Sequence, residues 1–198
     1  MMLTSINTSG SAKLPFEQHT LLLYSQYDDK SPTKYVNEAL KRGQLVVYVP
    51  VSTSDNVSDI SEITPEIINY EDNVNRGNLL TIDIRSFYNL VLAGNMQPFE
   101  ELKILLEEAI RERIALGKND EVTLVSGIGG TLSANLKFDQ SINSEKWWQK
   151  THSEWLQNGL KVTMICSHPS NILDKNQFMQ YKQTISSLHH ITLNPVCE

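Results

Sequence analysis

HTLLLYSQYDDKSPTKYVNEALKRGQLVVYVP, residues 19 to 50, is the stretch that decides the fold. It begins with an apolar run, Thr20 to Ser25, and ends with another, Leu45 to Pro50. Between them, Ser31, Pro32 and Gly43 supply the start and stop signals of one helix. Runs that are apolar at every position, rather than at every second one, belong to strands buried on both faces, as parallel strands covered by helices are. A strand, a helix and a second strand in this order imply a right-handed crossover.

Working outward, the same signature recurs in LLTIDI (79–84), VTLVSG (122–127) and KVTMIC (161–166), with a weaker edge strand expected in HHITL (189–193). Helical patterns lie between them. In PFEELKILLEEAIRERIALG (98–117), Phe99, Leu102, Leu105, Leu106, Ala109, Ile110 and Ile114 form an apolar stripe, Glu107 and Arg111 pair at i and i+4, and Gly117 closes the helix. Ser144 is the expected cap of EKWWQKTHSEWLQNG, which Gly159 ends. Alternating strands and helices predict an α/β fold, a three-layer α/β/α sandwich on a mainly parallel sheet. Residues 1–15 read as a mobile tail and 16–198 as a single domain. The least periodic region, 52–78, carries a short helix around Pro65 to Tyr70 and is the candidate lid.

At 198 residues and 40% hydrophobic content, the chain can bury one substantial core. A formal net charge of −6 argues against direct nucleic-acid binding, which depends on Lys and Arg. Two cysteines are too few for a disulfide framework or a zinc site, and no metal and no cofactor is expected. No leader-like or membrane-spanning apolar run occurs, and a cytoplasmic protein without membrane contact is expected.

In a parallel sheet, ligands bind outside the strand C-termini. That rule places Ser25 and Gln26, Val51 and Ser52, Asp83 and Arg85, Ser126 and Gly127, and Ser167 and His168 on one rim. The turn Ser25-Gln26-Tyr27-Asp28-Asp29-Lys30-Ser31 lacks the glycines that let backbone amides wrap phosphate, and its aspartates repel one. SGIGGTLSAN (126–135) is the chain's one glycine cluster; it matches no phosphate-loop spacing and reads as a tight turn where strand and loop pack closely. His168, at a strand end, reads as a partly buried residue with a backbone partner. His189 and His190 would point to opposite faces of a strand and make a poor metal pair. Cys166 reads as a buried structural residue, although His168 two positions on could activate it in a suitable loop. Trp148 and Trp155, seven apart, share a helical face, so core packing accounts for at least one of them.

The succession of elements resembles the RecA superfamily, in particular its KaiC-like branch, in GQLVVYVP and RGNLLTIDIRS. The chemistry of that branch is missing: Lys30-Ser31-Pro32 replaces the Gly-Lys-Ser/Thr, Val51-Ser52 replaces the glutamates, and Ser126 replaces the metal-holding aspartate. A degenerate relative with this profile is the MEDS domain, the sensory domain of DcmR-type methylotroph and methanogen proteins. The resemblance to it lies in EQHTLLLYSQYDD (17–29), ALKRGQLVVYV (39–49), FYNLVLAGNMQPFEELKILLEEAI (87–110), EVTLVSG (121–127), KVTMICSHPSNIL (161–173) and LHHITL (188–193).

That resemblance implies an archaeal or bacterial sensory module for small organic ligands, acting in signal transduction or transcription regulation. No helix-turn-helix or kinase segment is expected in the remaining residues, so the output would pass through a separate regulatory partner or a homo-oligomer. The expected reading is a non-enzymatic domain with a ligand pocket lined by Tyr24, Gln26, Ser126, Gly127 and His168. Two alternatives stand beside it: a KaiC-like nucleotide-binding protein with weak ATPase activity, and an oligomeric interaction scaffold.

Overall fold

The computed structural model describes residues 14–25, 31–50, 64–83 and 88–194. The expected tail up to Lys13, the rim and turn residues Gln26, Asp28, Asp29, Lys30, Val51, Ser52 and Arg85, and the first part of the candidate lid lie outside them.

Six strands, β1 (His19–Tyr24), β2 (Leu45–Val49), β3 (Leu79–Thr81), β4 (Val122–Ser126), β5 (Val162–Pro169) and β6 (Ile191–Leu193), form one sheet in the order β3-β2-β4-β5-β1-β6. Every pairing is parallel. This is the expected α/β class. All residues of β1, β2, β4 and β5 are buried, as the unbroken apolar runs required.

The helices divide between the two faces. α1 (Ser31–Lys41) packs Tyr35, Val36, Ala39 and Leu40 on Leu22, Val46, Tyr48, Val125 and Ile165, together with Ile67 from the segment leading to α2 (Tyr70–Asn75). On the opposite face lie α4 (Gln97–Ala115), which follows the short α3 (Tyr88–Leu92), then α5 (Ile128–Ala134) and α6 (Phe138–Gln157). Phe99, Leu106, Ile110, Leu132, Trp148 and Trp155 there cover Val47, Leu124 and Met164. After β5 come α7 (Ser170–Leu173) and α8 (Met179–Ser187), which contribute Leu173 and Ile185 to a third cluster with Leu21, Leu23 and Phe138.

Several boundaries differ from the sequence reading, each for a tertiary reason. β5 runs on to Pro169 because Ser167, His168 and Pro169 pair with Leu22, Leu23 and Tyr24 of β1; His168 is therefore inside the strand. α6 starts at Phe138, not at Ser144. Phe138 packs against Phe178 and Tyr181, with ring centroids 4.6 and 4.5 Å apart, and Ser144 Oγ donates to the Ser141 carbonyl inside the helix. The short helix expected at Pro65 to Tyr70 is a 3-10 turn (Thr64–Glu66) followed by α2.

The buried stripe of α4 is narrower than expected. Leu105 and Ile114 are exposed, while Arg113 is buried. Its guanidinium donates to the carbonyls of Gly43, Gly77 and Asn119 and to Asn78 Oδ1, which ties together the loops entering β2, β3 and β4. Gly43, Gly117 and Gly159 end their helices at φ of 70°, 65° and 77°, the left-handed region that their stop signals implied. Glu107 and Arg111 lie 3.8 Å apart, and Trp148 and Trp155 are core residues.

Candidate functional site: a buried His–Glu–Cys centre

Side chains alternate along a strand, so His19, Leu21 and Leu23 of β1 face α6 and α8, as do Met164, Cys166 and His168 of β5. Because β1 and β5 are neighbours, His19, Cys166 and His168 are brought beneath α6. Its Glu145, 1% exposed, points at all three. The corner between α8 and β6 adds His189 from the side.

Glu145 is the hub. His168 donates from Nε2 to Glu145 Oε1 at 3.0 Å, which leaves Oε2 turned toward His189 Nε2 at 3.2 Å and His19 Nε2 at 3.8 Å. His19 Nε2 also lies 3.3 Å from Cys166 Sγ. Behind His168, Nδ1 meets Ser133 Oγ at 3.2 Å. Ser133 Oγ in turn lies 3.0 Å from Ser141 Oγ, which donates to the Gly129 carbonyl. A second ring of imidazoles surrounds the first: His152 donates from Nε2 to the Val162 carbonyl, and His190 Nδ1 accepts the His19 backbone N–H.

The centre depends on the two glycines of α5. A Cβ on Gly129 would sit 2.0 Å from Glu145 Oε1 and 2.8 Å from His168 Nε2, and one on Gly130 would sit 2.1 Å from the Ser167 carbonyl oxygen. The close packing expected of the glycine cluster is therefore real, but it takes place inside a helix rather than a turn. Ser126 Oγ accepts the Ile128 N–H at the start of that helix.

Burial alone would push the Glu145 carboxyl up. The hydrogen-bonding and positive charge offered by His168 and His189 outweigh it and hold the group well below the usual carboxylate range. Burial, reinforced by His189, His152 and His190, holds His19 well below the usual histidine value against the pull of Glu145. Cys166 is pushed well up by burial and by the Glu145 charge, which is the opposite of nucleophile activation.

His189 carries a further constraint. Its Nδ1 lies 2.8 Å from the Ile185 carbonyl, which can only accept, so Nδ1 bears a proton, and Nε2 faces Glu145 Oε2. Treating that 3.2 Å approach as a hydrogen bond requires a second proton on the ring. Among the described residues, Glu145 Oε2 and His189 Nε2 are buried without hydrogen-bond partners, as is His19 Nδ1.

The residues singled out from sequence are only partly brought together. Ser126 and His168 face the α5–α6 side, whereas Tyr24, following Leu22, faces the α1 side. Gly127 is buried at the end of β4, and Gln26 is outside the described residues. His168 is fully buried, with side-chain partners in place of the expected backbone one. His189 and His190 sit in a bend before β6, not in a strand, so the opposite-face argument does not apply to them. Sequence reasoning missed Glu145, which looked like an ordinary first-turn acid after a capping serine, and His19 as a partner of Cys166, 147 positions away.

Fold and site define an α/β protein on a six-stranded parallel sheet with a buried polar centre against one face. No protein-family model matches the chain, and no curated protein matches it in sequence. Among solved structures it is similar to the flagellar accessory protein FlaH from Methanocaldococcus jannaschii, at 16% identity and a TM-score of 0.47, over 91% of this chain and 72% of that one. A likeness of that degree implies no shared chemistry.

Proposed function

We propose that the chain is a non-catalytic sensory or regulatory domain in which occupancy of the buried centre, rather than turnover in an open cleft, is the signal. The observation that supports this reading is the convergence of unpartnered polar atoms, Glu145 Oε2 and His189 Nε2, in a fully buried site. Buried polar atoms without partners cost about 1–3 kcal/mol each, and such groups call for an explanation beyond packing. The centre joins β1, β5, α6 and the α8–β6 corner, so a change in its charge or occupancy would be felt by four elements at once. Regulation is also the role that the MEDS resemblance implies, with a small ligand as input and a separate protein partner or a second copy as output.

Catalysis fits the same residues less well. The Cys166 thiol is buried and held protonated, and Ser126 is buried against a helix start.

Native-state hydrogen exchange, run with and without a panel of small organic compounds and divalent cations, tests the reading. Altered protection in β1, β5 and residues 188–193 with at least one of them is the expected result. Phosphate release from ATP with magnesium, or unchanged protection throughout the panel, would overturn it.

A further inference from the structure

We infer that His19, Glu145, Cys166 and His189 form a binding site for a divalent transition-metal ion of the zinc class. The inference rests on the reading of the centre as a sensing element and names what occupies it.

The four donor atoms, two imidazole nitrogens, one carboxylate oxygen and one sulfur, all lie within 4.8 Å of one another. Tetrahedral coordination with bonds of about 2.0–2.3 Å places ligand atoms roughly 3.3–3.8 Å apart. His19 Nε2 to Cys166 Sγ at 3.3 Å and His19 Nε2 to Glu145 Oε2 at 3.8 Å meet that spacing, Glu145 Oε2 to His189 Nε2 at 3.2 Å falls just short of it, and the other pairs lie within 4.8 Å. Nitrogen, oxygen and thiolate together suit zinc or a neighbouring first-row ion, not magnesium or calcium, which prefer oxygen throughout.

The surroundings are those of a metal site. His189 donates Nδ1–H to the Ile185 carbonyl, which fixes the tautomer and aims the Nε2 lone pair inward, and His168 donates to the outer oxygen of Glu145, which aims the inner one. His189 Nε2 and Glu145 Oε2, 3.2 Å apart, are placed to share one cation. With the Cys166 thiol giving up its proton to solvent on binding, one carboxylate and one thiolate balance a doubly charged ion, so the filled site is neutral in a buried setting. Entry would take local opening at β6, a three-residue edge strand that among the described residues pairs with β1 alone and follows the exposed His190.

Titration of the full, chelator-treated chain with cobalt chloride tests the inference. The expected result is one equivalent bound with micromolar or tighter affinity, visible ligand-field bands of tetrahedral cobalt and a near-ultraviolet thiolate-to-cobalt band, all displaced by zinc chloride and unaffected by magnesium chloride. The thiolate band should vanish in Cys166→Ser and persist in Cys197→Ser. Should Cys166→Ser fold poorly, X-ray absorption of the zinc-loaded wild-type protein serves instead, with one sulfur and three nitrogen or oxygen neighbours expected. No bound cobalt, a thiolate band that survives Cys166→Ser, or a zinc shell without sulfur would overturn the site. If hydrogen exchange still responds to an organic compound, the sensory reading outlives the metal; if metal binds without altering exchange, the site stands and that reading falls.

Discussion

Replacing Gly129 by alanine separates two opposite expectations for one methyl group. Gly129 has an ordinary helical φ, so intrinsic propensity alone predicts that alanine stabilises α5 by roughly 1 kcal/mol. Packing predicts the reverse. The added Cβ would lie 2.0 Å from Glu145 Oε1 and 2.8 Å from His168 Nε2, so the carboxylate has to move. Glu145 cannot swing away freely, because α6 is packed down through Trp148 and Trp155 and the carboxylate is held by His168. Overpacking of this kind costs about 1–3 kcal/mol, and loss of a hydrogen bond to a buried charge about 1.5–3 kcal/mol more. After subtracting the helix gain, the net is a destabilisation of roughly 2–5 kcal/mol. For a chain of this length each kcal/mol shifts the melting temperature by about 2–4 °C, giving a fall of roughly 4–20 °C. Urea and thermal unfolding, run with chelator present, measure it. A melting temperature unchanged or raised in Gly129→Ala would refute the close approach of α5 to Glu145, and with it the geometry of the centre. Gly130→Ala should cost at least as much, since its Cβ would meet the Ser167 carbonyl, which is backbone and cannot rotate aside.

Acid should destabilise the metal-free protein early. His19 and His152 both have pKa values lowered in the fold, chiefly by burial, so below about pH 6.5 the unfolded chain binds protons that the folded one does not, and stability falls with pH by up to about 1.4 kcal/mol per unit for each histidine. Glu145, lowered as well, adds its own loss only below about pH 4.3. Urea midpoints between pH 7.5 and 5 should show this slope, shallower by about one proton in His152→Gln; a flat profile refutes it. Arg113→Met should lower the melting temperature by roughly 5–15 °C through about 2–4 kcal/mol of unmet carbonyls at Gly43, Gly77 and Asn119, and Arg113→Lys should not rescue it, because an ammonium cannot fork to three loops. In a Cys197→Ser background, Cys166 should react with a thiol reagent only as fast as the fold opens, and labelling at the rate of a free thiol would show that it is not buried.

The strands could be read from sequence because each buried run is a local pattern. TLLLY, LVVYV and VTLVS are apolar at every position, and that property does not depend on where the strands go. Helix ends at Gly43, Gly117 and Gly159 were equally legible, since a left-handed residue after the last turn is a local requirement. The failures occurred where distant packing extended or redirected a local pattern. Ser144 has the chemistry of a cap, yet Phe138 finds aromatic partners in Phe178 and Tyr181, and burial of its ring carries the helix start upstream from Glu145 to Phe138. Ser167 and His168 look like the end of a strand, yet Leu22 and Leu23 of β1 pair with them.

The sequence by itself determined the kind and order of the elements, the α/β class and the absence of phosphate-loop glycines at residues 25–31. The centre was decided by tertiary structure alone. Periodicity reports which face of a strand or helix is buried, but His19, Glu145, Cys166, His168 and His189 meet only because β1 inserts between β5 and β6 and the glycines of α5 leave the Glu145 carboxylate room to reach His168. Strand order and register are set by the summed packing of all layers, and no single stretch of the chain carries them.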